Sequence, residues 1–242
     1  MEQLNGAVEA SLARYLRRDN PYFEALRSGA FERADFVETQ VQFYFAVVFF
    51  SRPMAAVAAK IPQAARRVEV LRNVWEEHGE GDAGLMHGAT FLEFLRRLDG
   101  LEPNDVDARA LWPEVRAFNT ALVGSCVLDE YLVGVAVLGM IERMFADISQ
   151  WIGSLVVARG FLQQEELVHY KLHAQLDVRH SADFFDVLAA PWTAGEGDRY
   201  AIRQGLELGG YVFDRLYRDL FAARARRLLR DPAVRGLPHS RS

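Results

Sequence analysis

The stretch ELVHYKLHAQLDVRHSADFF, Glu166 to Phe185, holds three of the chain's six histidines and an aspartate between His169 and His180. Its apolar positions recur at helical spacing, so it reads as part of a helix. On an ideal helix each residue turns by about 100 degrees, and positions i, i+4 and i+7 fall within about 60 degrees of arc. His173, Asp177 and His180 have that spacing and project along one stripe, as ligands to a shared metal must. Leu172, Leu176, Phe184 and Phe185 are apolar neighbours that set the stripe near a core. A hydrated surface network suits the same spacing, and His169 lies on the stripe one turn earlier, so spacing alone does not choose the ligands.

The same periodicity dominates the rest of the chain, and few alternating runs bounded by turn residues argue for strands. Helices are expected at about 5–18, 20–28, 32–51, 53–60, 63–79, 87–99, 105–124, 127–158, 163–191 (broken near His180–Ser181) and 196–230. Breaks are expected at Asn20-Pro21, Arg52-Pro53, Pro62, HGEGDAGLMHG, Gly100 to Asn104, Gly160, and Pro191 to Gly197. None is long enough to be an interdomain linker. The expectation is a single all-α domain over residues 1–242, ending in a basic tail from about 231 to 242.

Half of the 242 residues are apolar, enough for a sizeable core. Thirty-three acidic against 28 basic residues, net charge -5, argue against a broad nucleic-acid footprint. The basic cluster Arg224, Arg226, Arg227, Arg230 and Arg235 reads as a solvated end of the chain. The only cysteine, Cys126, rules out an intrachain disulfide and a Cys-based metal site. Uncharged runs such as Val41 to Ser51 fall short of the ~20 residues that span a bilayer. No membrane partner is therefore expected, and the location expected is the cytoplasm.

A second signal is EYLVGVAVLGMIERMFADI, Glu130 to Ile148, where eleven uncharged residues separate Glu130 from Glu142. Leu138 and Phe145 flank Glu142 on its own helix face. A buried carboxylate costs several kcal/mol unless it is paired or binds a cation. Arg143 points about 100 degrees away and is no partner. A third signal is RNVWEEHGEGDAGLMHGATFLEFL, Arg72 to Leu95, where a glycine-rich loop joins the end of one helix to the start of the next near His87. Glu76, Glu77, His78 and Glu80 compete there as ligands, and local spacing does not choose among them. Three carboxylates and three histidines, Glu77, His87, Glu142, His173, Asp177 and His180, suit iron or manganese, and zinc is not excluded by ligand type.

The pattern Glu77-x9-His87, Glu142, His173-x3-Asp177-x2-His180 resembles the haem-oxygenase-like di-iron oxidases and oxygenases, relatives of TenA and PqqC. The opening NPYFEALRSGAFERADFVETQVQFYFAVVFF, Asn20 to Phe50, resembles the first part of that fold. The resemblance covers roughly residues 10 to 220 and implies a bundle of about seven core helices. It implies two ferrous ions and O2, held by the six residues just named, with Glu77 chosen from the loop acids and His169 left outside the ligand set. The implied activity is oxidation of a small amino-acid-like or fatty-acid-like molecule by C–C cleavage, decarboxylation or desaturation in natural-product biosynthesis. An external electron donor and a homodimer are compatible with it.

Two departures narrow the family's range. Members that oxygenate amine nitrogen add an early-helix Glu, and here no acid occurs between Glu38 and Glu69. Members that make p-aminobenzoate from their own side chains place a lysine about ten residues after the Glu142 position, where Gln150, Trp151 and Ile152 stand here. Phe43, Tyr44 and Phe50 are candidates for lining a substrate pocket, and Tyr44, Arg203 and Tyr211 for its polar contacts. The rival readings are an N-oxygenase of the same family, a metal-independent TenA-like or PqqC-like enzyme, for which Cys126 lacks a nearby acid–base pair, and a regulatory protein with a decayed site.

Overall fold

Ten α-helices and no strand make up the described part of the computed structural model, residues 2–16 and 19–231. They are α1 (Glu2–Tyr15), α2 (Pro21–Ser28), α3 (Arg33–Lys60), α4 (Ala64–Glu77), α5 (His87–Asp99), α6 (Pro103–Asp107), α7 (Pro113–Val123), α8 (Tyr131–Ala158), α9 (His169–Ala194) and α10 (Glu196–Ala223). Together they form a helical bundle, as the all-α expectation has it. The tail expected over 231–242 lies outside the described residues beyond residue 231.

The central helix is α8, whose apolar run from Tyr131 to Ile141 leaves that half no polar face to turn to water, and every residue from Leu132 to Glu142 is buried. It packs mainly against α9 and α10. Gly205 and Gly209 on α10 make that crossing close. A Cβ on Gly205 would stand 2.5 Å from the Val133 carbonyl oxygen, and one on Gly209 would stand 2.7 Å from that of Val137. Helix α3 is long and apolar enough to cross a membrane by length and composition, yet 67% of its most apolar window is buried within the protein. Its Phe36, Phe43, Phe45, Met54 and Val57 belong to the core that runs from Leu4 to Ala223.

Several boundaries differ from the pattern in the sequence. Pro53 does not end a helix. α3 runs through it to Lys60, because Met54, Val57 and Ala58 beyond the proline are buried and hold the backbone in line. Pro113 instead splits the helix expected at 105–124 into α6 and α7. A wide turn over Gly124–Leu128 follows, and Lys60 Nζ caps it through the carbonyls of Cys126 (3.3 Å), Val127 (3.2 Å) and Asp129. No break occurs at His180–Ser181. Both are buried, Ser181 Oγ bonds back to the Val178 carbonyl at 2.9 Å, and α9 continues to Ala194. α10 ends at Ala223, seven residues short of the expected 230.

Candidate metal centre

Four helices bring the ligand-type side chains together. Glu77 is the last residue of α4 and His87 the first of α5. The intervening turn reverses through three left-handed residues, Gly79 (φ 66), Glu80 (φ 53) and Gly81 (φ 92). At Gly79 there is also no room for a side chain, since a Cβ would stand 2.7 Å from the Met86 amide nitrogen. The reversal places the Glu77 carboxylate against His87 Nδ1. From the middle of α8 comes Glu142, and from one face of α9 come His169, His173, Asp177 and His180. All of these residues but His87 are buried, and the His87 side chain is only 10% exposed.

Two groups of candidate donors result. One is Glu77, Glu142 and His180; the other is His87, His169 and His173; in each, ligand atoms lie within 4.8 Å of one another. His180 Nδ1 is 3.7 Å from Glu142 Oε1 and 3.9 Å from Glu77 Oε1. His173 Nδ1 lies 2.7 Å from Asp177 Oδ1, and the His87 and His173 rings stack at 4.1 Å. Arg143 turns away to Asp147 at 3.1 Å, as its position next to Glu142 requires.

Enclosure perturbs these groups. Burial raises Glu142 to about 7, with the nearby Asp177 adding to the effect. Burial likewise pushes Asp177 well above the ordinary carboxylate range. Burial acts the same way on Glu77 but is outweighed by His87, His173 and His180, which hold it down at about 2. His173 is lowered by burial to about 4. At His180 the carboxylates of Glu142, Glu77 and Glu76 outweigh burial and raise the imidazole to about 10. Apposed acids and bases pushed apart in this way are typical of a functional site.

The residues fit a metal. Imidazole and carboxylate are donors for iron or manganese. Five atoms, His87 Nε2, Glu142 Oε1, His173 Nε2, Asp177 Oδ2 and His180 Nδ1, are buried with no hydrogen-bond partner. Such groups are otherwise paired in folded proteins.

Beside the cluster, a small apolar cavity of ≈ 30 Å³ is walled by Phe43, Phe50, Phe118, Phe145 and Phe213, with His87 and Glu142 on its rim. A larger cleft of ≈ 430 Å³ reaches Glu77 and His87 past Tyr44 and Val47. Burial pushes the Tyr44 hydroxyl up to about 12. Arg203 and Tyr211 are not part of this site. The Arg203 guanidinium lies over the Trp192 ring at 5.4 Å in a separate groove between α1 and α10, and Tyr211 is 54% exposed, edge-on to Tyr15. α10 turns its glycines, not these two side chains, toward α8.

Two residues join the site that sequence patterns did not single out. Glu76 Oε2 accepts from His180 Nε2 at 2.8 Å and also meets Arg179. Thr90 Oγ1 lies 3.0 Å from His169 Nδ1. Glu76 was one of four competing groups in the loop; for Thr90 the only cue is its place one turn after His87.

The family model for iron-containing redox enzymes matches residues 37–209. No curated protein matches the chain at a significant level. Among solved structures, a CADD-like protein of unknown function from Nostoc punctiforme is similar with a TM-score of 0.77 at 14% identity, over 93% of this chain and 98% of that one. A domain of unknown function with a haem-oxygenase-like fold from Shewanella denitrificans has a TM-score of 0.71 at 12% identity, covering 91% and 90%. A TenA homologue from P. horikoshii has a TM-score of 0.68 at 12% identity, covering 91% and 97%. At such identities the structures establish the fold alone.

Proposed function

The chain belongs to the iron-containing redox enzyme family, and on that premise we propose that it is an O2-dependent non-haem di-iron oxidoreductase. Its substrate is a small amino-acid-like or fatty-acid-like molecule, and its reaction is C–C cleavage, decarboxylation or desaturation in natural-product biosynthesis. One observation carries the reading: five ligand-type atoms on α5, α8 and α9 are buried together without a hydrogen-bond partner. A bound cation offsets that desolvation.

Glu77, His87, Glu142, His173, Asp177 and His180 would hold the two ions. Ferrous ions, when bound, supply electrons for reducing dioxygen so that a C–H or C–C bond of the substrate is oxidised. The chain's own residues do the rest. Asp177 accepts the His173 Nδ1 proton and Glu76 the His180 Nε2 proton, which leaves His173 Nε2 and His180 Nδ1 as free lone pairs. The five phenylalanines give the site an apolar wall on the side of Glu142, whereas His87 also faces the larger cleft. Their cavity has room for only a few heavy atoms, which favours a small apolar group there. Tyr44 keeps its phenolic proton at neutral pH and offers it as a donor along the cleft. Where the substrate does not supply all the electrons, an external donor completes the balance.

A metal-independent TenA-like reaction through a cysteine nucleophile is disfavoured by Cys126, whose thiol is fully buried and pushed up to about 12 by that burial. The test is anaerobic loading with ferrous ion followed by exposure to oxygen. About two irons per chain and an oxygen-dependent absorption transient are expected. Less than about one iron per chain, with no transient, would sink the reading.

A further inference from the structure

We infer that His169 is itself a metal ligand, so that the centre divides into a three-histidine face, His87, His169 and His173, and a carboxylate-rich face, Glu77, Glu142 and His180. This rests on the di-metal reading above and adds His169 to the six ligands that the sequence resemblance implied, Asp177 among them.

A proton count at Thr90 assigns the role. Its hydroxyl has one proton, and Oγ1 stands 3.0 Å from the His87 carbonyl oxygen, which can only accept. With that proton given to the carbonyl, Oγ1 accepts from His169 Nδ1 at 3.0 Å, and on that assignment Nδ1 carries the ring proton. His169 Nε2 is then a bare lone pair, buried and without a partner, on a ring with no solvent exposure. Phe91, at 4.6 Å, and Tyr170, at 5.5 Å, stand edge-on to that ring, while His173 and His87 lie at 4.3 and 4.9 Å.

The same device occurs three times. His87 turns Nδ1 to Glu77, His173 turns it to Asp177, and His169 turns it to Thr90. Each leaves Nε2 buried and unpartnered. Anchoring one ring nitrogen to an oxygen frees the other for a metal and fixes its tautomer. A ring nitrogen from each of the three lies within 4.8 Å of the other two. Neutral imidazoles suit borderline divalent ions such as ferrous, cobaltous or zinc ion, whereas the face with two carboxylates suits ferrous or manganous ion. The two positions therefore differ in chemistry.

The test is anaerobic titration of the full chain with ferrous and, separately, cobaltous ion, read by bound metal per chain and by the cobalt absorption spectrum. The wild type is expected to take about two equivalents and His169→Ala about one. Thr90→Val, which keeps the shape and removes the anchor, should bind two with one site weakened roughly ten- to a hundredfold. That second variant decides the matter if His169→Ala fails to fold. Unchanged stoichiometry, affinity and cobalt spectrum in both variants would overturn the role of His169 alone. So would nitrogen NMR of the metal-free chain showing the proton of His169 on Nε2. A wild type that binds no metal would overturn the di-metal reading and this inference with it.

Discussion

His180 shows how much of this centre depends on single side chains. Its Nε2 is tied to Glu76 at 2.8 Å, its backbone carbonyl accepts from Asn73 Nδ2 at 3.4 Å, and its Nδ1 is left between Glu142 and Glu77. Glu76→Ala should leave the fold intact and weaken metal binding roughly ten- to a hundredfold, since it removes the group that orients the ring. Competition with a chelator of known affinity measures this, and unchanged affinity would show Glu76 to be only a partner for Arg179. His173→Ala removes a donor outright and should abolish loading of at least one ion. The four loop groups that competed in the sequence are separated by direction. Neighbours at a helix end point about 100 degrees apart, so Glu77 faces inward, Glu76 flanks it toward His180, and His78 folds back to the Val74 carbonyl at 2.7 Å, while Glu80 stands exposed in the left-handed turn. The stripe of His173, Asp177 and His180 was legible because helical spacing is local. The tautomer of His169 was not, because Thr90 reaches it from another helix.

At the scale of elements, the loop between α4 and α5 and the crossing of α8 with α10 carry separable roles. Gly79 is both left-handed and without room for a Cβ. Gly79→Ala should therefore displace the turn and part Glu77 from His87, reducing metal uptake more than it reduces the melting temperature of the metal-free chain. Gly209→Val is the contrasting case. It forces a side chain into the Val137 carbonyl and Met140, far from the loop, and should cost about 1–3 kcal/mol of stability, read as a lower melting temperature. Equal effects of the two variants on metal uptake would contradict this division. The helices themselves were legible to different degrees. α5 begins at His87 and ends before Gly100, as the glycine punctuation indicates. Pro53 misleads because tertiary burial on both sides of it outweighs the one lost backbone hydrogen bond. Arg203 and Tyr211 were misplaced because which way α10 turns depends on its glycine contacts with α8, a fact about two elements and not about either alone.

For the molecule as a whole, the centre is a group of acids and bases enclosed within the same core that gives the bundle its stability, so metal, pH and folding are linked. Glu142 is raised to about 7 and His180 to about 10. A raised pKa contributes stability below the unfolded value that is lost as pH rises through the folded one. His173, lowered to about 4, opposes this only below its ordinary value near 6.5. Above pH 7 the opposition is gone, and the metal-free chain should lose stability as pH rises toward 9. Metal acts in the other direction. Asp177 and Glu142 must shed protons, and His180 must become neutral, before they can ligate, so apparent affinity should increase over the same range. Free ferrous or cobaltous ion at about a hundred times the dissociation constant adds roughly 3 kcal/mol per site, which for a chain of this length is roughly 5–10 °C in melting temperature. At one fixed ion concentration that increment should be larger at pH 8 than at pH 6. Thermal unfolding at both values, with and without ion and under anaerobic conditions, measures it. An increment independent of pH would mean that the buried acids are not the groups the ion displaces protons from, and the ligands would then have to be sought elsewhere on the molecule.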